Sequence, residues 1–228
     1  MRYAVFVLAL LLGCSSVPAP PPAGSSQAWG HVVLVPREGV TPGGATPSSY
    51  GDRRLADVEF VDYARPGFSV VYTESGPARS DVLALSIVDA RAGLRVEPEL
   101  AAVGSAGRIV LHNETDEAHV VSYPAADLVR RVEPGERLEL AVPHKGEQAV
   151  FLLDGPAIRS IVFAAPGPYT VVAASGRYVL PDLLPGAHTL RVWHPRFPPA
   201  SRDVMLLDGE SLELDLEIGV GRGDHAAH

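Results

Sequence analysis

His112, His119 and His144 are the residues whose chemistry could do most here. His112 and His119 flank a six-residue loop, and on a hairpin the two rings could approach each other. His144 could then join them in a cysteine-free metal site, since neutral imidazole is a common ligand. The competing account leaves His119 a leftover ligand position, hydrogen-bonded to backbone, and the other two on the surface. Asp224, His225 and His228 lie in the tail, where a mobile chain offers a metal no fixed geometry. Tyr169, Tyr178, Trp193 and Phe197 could line a sugar-stacking surface, although aromatics at strand spacing are more often core. Arg222-Gly223-Asp224 and the sequon Asn113-Glu114-Thr115 are short matches without supporting context. No Gly-x-Ser-x-Gly, His-Glu-x-x-His, P-loop or dinucleotide fingerprint occurs, and the expectation is a protein that is not an enzyme.

The only cysteine is Cys14. It follows Met1-Arg2, an apolar run from Ala4 to Leu12, and Gly13. One positive charge, a short apolar core and a small residue before a cleavage point make a secretory signal. The run falls short of the about 20 apolar residues a spanning helix needs. Leu11-Leu12-Gly13-Cys14 resembles the bacterial lipobox. That resemblance implies removal of residues 1–13, acylation of Cys14 and, with Ser15 following, sorting to the outer membrane. The expected location is the cell envelope, facing the periplasm or the surface. Ser15–Ala28 then forms a proline-rich linker, a semi-stiff spacer off the membrane. Acylation would leave no free thiol, no disulfide and no cysteine-ligated metal.

The net charge of −8 becomes −9 once Arg2 is lost. An acidic chain argues against nucleic acid, whose phosphates it would repel. It also supplies no polybasic patch for a membrane. Membrane contact is expected through the lipid, with a protein or glycan of the envelope as partner.

The elements that would position any site are strands. Pro66-Gly67, Pro134-Gly135, Pro166-Gly167, Pro185-Gly186 and Asp208-Gly209 punctuate the chain, as in a sandwich or barrel. Leu212–Ile218 and Arg137–Val142 alternate apolar and polar with period two, so one face packs and the other meets water. Further strands are expected over 30–35, 57–63, 68–73, 82–88, 107–112, 118–123, 147–153, 158–164, 168–173, 177–180, 187–194 and 202–207. A short helical turn fits Ala125–Val129, residues 38–54 read as a long loop, and Trp29 could cover an open edge.

Gly176-Arg177-Tyr178-Val179-Leu180, then Leu184-Pro185-Gly186 and Leu190-Arg191-Val192-Trp193-His194, resembles the carboxypeptidase regulatory-like domain. The resemblance covers about residues 166–218 and implies a transthyretin-like sandwich of the carbohydrate-binding-like fold group, with a final hairpin over 203–218. Upstream, Asn113-x-x-Asp116-x-x-His119-x-Val121 and Glu133-Pro134-Gly135-Glu136 resemble a cupredoxin. The order of the two halves, closing on Leu190–Arg196, resembles the proteins labelled methylamine utilisation proteins. In that arrangement the cupredoxin unit sits inside or just before the second sandwich, and residues 56–74 supply early strands to the second unit.

The cupredoxin resemblance implies His119 as first copper ligand and a Cys-x-x-His-x-x-Met loop after the strand Ala149-Val150-Phe151. Here Leu152, Gly155 and Ile158 stand at those three positions. The expectation is a cupredoxin shell without cofactor, with His119, His112 and His144 as residual metal candidates and Trp193, Tyr178 and Tyr169 as binding candidates. The expected fold is all-β, a cupredoxin-like Greek-key sandwich plus a transthyretin-like one. The expected organisation is 1–13 signal, 14–28 linker, 29–81 N-terminal β segment, 82–165 cupredoxin-like unit, 166–220 regulatory-like unit and 221–228 tail. The leading function is a lipid-anchored binding or structural module; the alternatives are copper-based electron transfer and carbohydrate binding.

Overall fold

A computed structural model describes residues 17–36, 62–63, 65–91, 93–155 and 158–219. Cys14, the loop over 38–54, most of the strand expected at 57–63, and Asp224, His225 and His228 lie outside the described residues. Strands dominate. In chain order they begin with β1 (Ser26–Val35), β2 (Val70–Thr73), β3 (Val82–Ala90), β4 (Gly93–Glu97) and β5 (Leu100–Gly104). Next come β6 (Arg108–Asn113), β7 (His119–Tyr123), β8 (Leu128–Val132), β9 (Arg137–Ala141), β10 (Gly146–Leu152) and β11 (Arg159–Ala165). The last are β12 (Tyr169–Val171), β13 (Arg177–Leu183), β14 (Gly186–His194), β15 (Phe197–Leu206), β16 (Ser211–Glu213) and β17 (Leu216–Gly219). No helix among the described residues is long and apolar enough to cross a membrane.

Period-two alternation builds the first sandwich. In β9, Leu138 and Leu140 are buried while Arg137, Glu139 and Ala141 face water. The sheet β4-β3-β6-β9 packs on the sheet β5-β11-β10-β7-β8. Leu85, Ile87, Ile109, Leu111, Val121, Tyr123, Val150 and Leu152 fill the space between them. The pairs β3–β6 and β5–β11 are parallel, so this is no simple meander.

The second sandwich is assembled from both ends of the chain. One sheet runs β13-β1-β16, with β17 also on β1; the other runs β12-β2-β14-β15. Their core includes Ala28, Val32, Val71, Tyr178, Leu180, Leu190, Val192, Leu206 and Leu216. Since β1 and β2 precede residue 82 and β12 follows residue 165, the first sandwich is an insertion within the second. Residues 29–81 thus supply two strands to the C-terminal sandwich, and β1 begins three residues inside the proline-rich stretch. Trp29 lies in a central strand, 7% exposed, with the Arg177 guanidinium 5.9 Å from its ring centre, so it covers no open edge.

A third apolar cluster joins the two units. Val70, Tyr72, Tyr169 and Trp193 of the second sandwich meet Phe163 and Ala165 of the first. The Trp193 ring stacks on Phe163 at 4.8 Å, and Tyr72 closes on Phe163 at 5.0 Å.

Two strand expectations need correction. Leu212–Ile218 is not continuous: β16 ends at Glu213 and β17 starts at Leu216, though the in–out alternation persists. The segment breaks where the Leu214 amide donates to the Trp29 carbonyl at 2.7 Å. Nor do residues 203–218 form a hairpin. Asp208-Gly209 turns the chain, but β15 stays on β14 while β16 and β17 pair in parallel with β1. The turn expected at Ala125–Val129 is a 3-10 turn over Pro124–Ala126, ended by Asp127 at φ 49°.

His194, 8% exposed, is held in its neutral form. Its Nε2–H donates to the Pro66 carbonyl at 3.0 Å, and its Nδ1 accepts from the Arg196 amide at 2.9 Å. Burial lowers its pKa from the usual 6.5, outweighing the Pro66 carbonyl, which favours the charged ring. Below that usual value the unfolded chain therefore binds a proton that the native chain refuses. The stability His194 contributes is present above pH 6.5 and is lost as pH falls toward the lower, folded pKa. The urea midpoint should fall as pH drops below that usual value, and more steeply for the natural chain than for His194→Asn. Equal slopes would contradict the assignment.

Candidate functional site

The site begins at Asn113, the last residue of β6. Its side-chain amide donates to the carbonyls of Glu117 (2.7 Å) and Val132 (3.2 Å), and its Oδ1 accepts from Thr115 Oγ1 at 2.8 Å. This fully buried asparagine shapes the loop that delivers His119 to the start of β7. The single hydroxyl proton of Thr115 is taken by Asn113 Oδ1 or by the Glu117 carbonyl. Thr115 Oγ1 therefore accepts from His119 Nε2–H, 2.8 Å away. His119 Nδ1 is left facing Asp154 Oδ2 at 3.4 Å, without a hydrogen bond. A proton or a small cation on that axis would satisfy both atoms.

Leu152 closes β10 and is 1% exposed, part of the first core. Its amide donates to the Ile158 carbonyl at 3.0 Å, and Ile158 N–H donates back to the Gly155 carbonyl at 3.2 Å. These bonds tie Ile158 to the end of β10 and to Gly155, with Ile158 packed against the same core. A side chain at Gly155 would meet Ile158 Cδ1 within 3.2 Å. Blue copper requires two imidazoles and a thiolate with a weak axial ligand. The donors offered here are one imidazole nitrogen and one carboxylate oxygen, and they do not fit that ion. No group of three or more histidine, cysteine, aspartate or glutamate residues able to hold a metal occurs among the described residues.

The three histidines are not brought together. His112 lies on β6, in the sheet opposite His119, because the chain crosses the sandwich between β6 and β7. This corrects the expected hairpin approach. His112 Nδ1 is 3.2 Å from Glu114 Oε1, which also accepts from Ser86 Oγ at 2.7 Å. Those two hydrogen bonds hold the Glu114 carboxyl below the usual carboxylate range, the serine contributing most. His144 is exposed and gives only its carbonyl, to the Gln148 amide. Gln148 in turn accepts from the buried Tyr123 hydroxyl, whose pKa burial pushes up to about 12.

The aromatic candidates are corrected as well. Trp193, Tyr178 and Tyr169 are 9%, 2% and 7% exposed, too buried to stack against a sugar. Tyr178 Oη donates to the Leu214 carbonyl at 2.6 Å, bracing the break between β16 and β17, and burial raises its pKa. Tyr169 bonds Asp81, and burial again raises its hydroxyl pKa. Phe197 packs within the second core. Asp154 and Thr115 were not among the expected site residues. The signal for Asp154 was its place between Leu152 and Gly155, inside the very loop whose ligands are missing.

Leu152→Ala should therefore act as a core truncation, costing about 3 kcal/mol. Chemical denaturation of the two chains measures it. A cost below about 1 kcal/mol would mean that the strand end is not packed as described.

The architecture defines an all-β protein of two joined sandwiches, one inserted in the other. No family model matches the sequence, and no curated protein does. Among solved structures, a purple cupredoxin from Nitrosopumilus maritimus aligns over 36% of this chain and 99% of its own, at 13% identity and a TM-score of 0.31. A variant of amicyanin in a reduced Cu(I) form aligns over 41% of this chain and 97% of its own, at 13% identity and a TM-score of 0.29. Another amicyanin variant in a reduced state matches at 14% identity with the same coverage and TM-score.

Proposed function

We propose that this chain is a lipid-anchored, non-enzymatic module of the bacterial envelope that binds or braces another envelope component. The observation that carries the reading is the closed strand end. Hydrocarbon from Leu152 and Ile158 occupies the positions where a copper centre needs sulfur donors, and the sole cysteine of the sequence is Cys14. A binding module needs a stable body and a tether. Two cores fused through aromatic stacking supply the first, and the lipobox-like Leu11–Cys14 supplies the second. The acidic charge favours a protein partner over nucleic acid. Burial of Trp193, Tyr178 and Tyr169 removes the aromatic platform on which a glycan reading would rest.

A second reading has one observation in its favour: His119 Nδ1 and Asp154 Oδ2 face each other and could share a cation. Copper titration of the mature chain by calorimetry separates the two. The module reading expects no binding tighter than micromolar. Tighter binding that disappears in His119→Ala would replace it with the second.

A further inference from the structure

We propose that one end of the second sandwich, carrying Leu184, Met205 and Leu207, rests directly on the bilayer holding the acylated Cys14; this builds on the lipid-anchor reading above. These are large apolar side chains left in water, at 62%, 64% and 68% exposure. Topology puts them together. Leu184 lies between the end of β13 and the start of β14. Gly186 and Ala187 of β14 pair with Leu206 and Met205 of β15, so Met205 and Leu207 flank the same turn region. Met205, in the edge strand β15, and Leu207, just past its end, alternate with the buried Leu206, so both face outward.

The same end receives the proline-rich linker. Ser26 pairs with Leu183. The Ser25 carbonyl accepts from the Gly209 amide at 2.9 Å, and the Gly24 amide donates to Asp208 Oδ1 at 2.8 Å. Further out, the Gln27 side-chain amide donates to the Ala19 carbonyl at 2.7 Å. The later part of the linker is thus bonded to the body and does not serve as a free spacer. Only five Cα steps, with four intervening residues, separate Ala19 from Cys14. Fully extended they reach at most about 18 Å. An acyl chain buried in the membrane from Cys14 therefore holds this end of the sandwich against the surface.

Local charge is compatible with contact. Asp208 is engaged by the Gly24 amide, Glu210 Oε2 accepts from the Leu207 amide at 2.6 Å and Asp203 from Thr189, so these three carboxylates bond the chain itself, while Asp182 is exposed two residues before Leu184. Without a basic patch, the occupant is the apolar interface of a bilayer, and docking should not depend on anionic lipid.

The test uses the full lipidated chain in phosphatidylcholine vesicles. Acylated Cys14 leaves no other thiol, so Leu184→Cys, Met205→Cys, Leu207→Cys and Val129→Cys each carry one environment-sensitive dye. Val129 is a control, 65% exposed on β8, at the sheet edge opposite β5. Dyes at 184, 205 and 207 should brighten several-fold, shift to the blue and be quenched by nitroxide lipids, while the dye at 129 stays wet. If mass spectrometry finds Cys14 acylated and all four dyes stay wet, docking is wrong and the anchor stands. Equal dryness at 129 also rejects end-on docking. An unacylated Cys14 removes both the anchor reading and the proposal.

Discussion

Truncating Trp193 to alanine should lower the unfolding free energy by ~3–5 kcal/mol, the largest loss expected from a single side chain here. Trp193 is 9% exposed and lies in the cluster that joins the sandwiches. Its ring stacks on Phe163 at 4.8 Å and meets the edge of Phe68 at 6.3 Å. Deleting the indole leaves a cavity between two bodies that each keep a separate core, so neither can collapse to fill it. The character of unfolding should change as well. The natural chain should unfold in one step, because the seam couples the units. Trp193→Ala should unfold in two, one per sandwich. Urea unfolding followed by circular dichroism and by tryptophan fluorescence, from Trp29 and Trp193 in the natural chain and Trp29 alone in the variant, would show coincident curves for the natural chain and separated curves for the variant. Coincident curves in both would mean that the seam contributes little coupling.

Gly30→Ala should be comparably severe, at ~4 kcal/mol or more, although it adds one methyl group. Gly30 sits mid-way in β1 at φ 157°. A Cβ there would lie 2.1 Å from the Leu214 carbonyl oxygen and 2.6 Å from its carbon, which is backbone and cannot swing aside. This is where the C-terminal segment crosses from β16 to β17 against β1. Two hydrogen bonds fix it there: the Leu214 amide donates to the Trp29 carbonyl and the Leu214 carbonyl accepts from Tyr178 Oη. Separating the strands for a methyl group would strain all of these contacts. A drop in melting temperature of many degrees, with the fold kept at low temperature, is the expected outcome. A variant as stable as the natural chain would show that the close approach at Leu214 is not maintained.

Strands with one wet and one dry face were legible in the sequence because alternation is a local signal. Arg137–Ala141 is the clearest case. The edge strands β4, β5 and β8 were not. In β8, Val129, Arg130 and Arg131 are all exposed, so no alternation exists to be read, and only the turn before it was anticipated. The inserted topology was only partly legible. Early strands for the second unit were expected over 56–74, and β2 falls there. β1 pairs in parallel with strands about 185 residues later, and such a partner leaves no local trace. Burial of Trp193 against a second body was equally hidden, since spacing separates the two faces of a strand but does not say what covers each. At the site, the chain itself displayed Leu152, Gly155 and Ile158 in the ligand positions. The His119–Asp154 pairing depended on where the end of β10 sets Asp154, which follows from packing.

The measurement that bears most directly on the account is the metal content of the full chain isolated from native membranes, by elemental analysis with a visible absorption spectrum. An apolar strand end at Leu152 and Ile158 predicts far less than one copper per chain and no copper–thiolate band. One firmly held copper per chain, lost in His119→Ala, would contradict it.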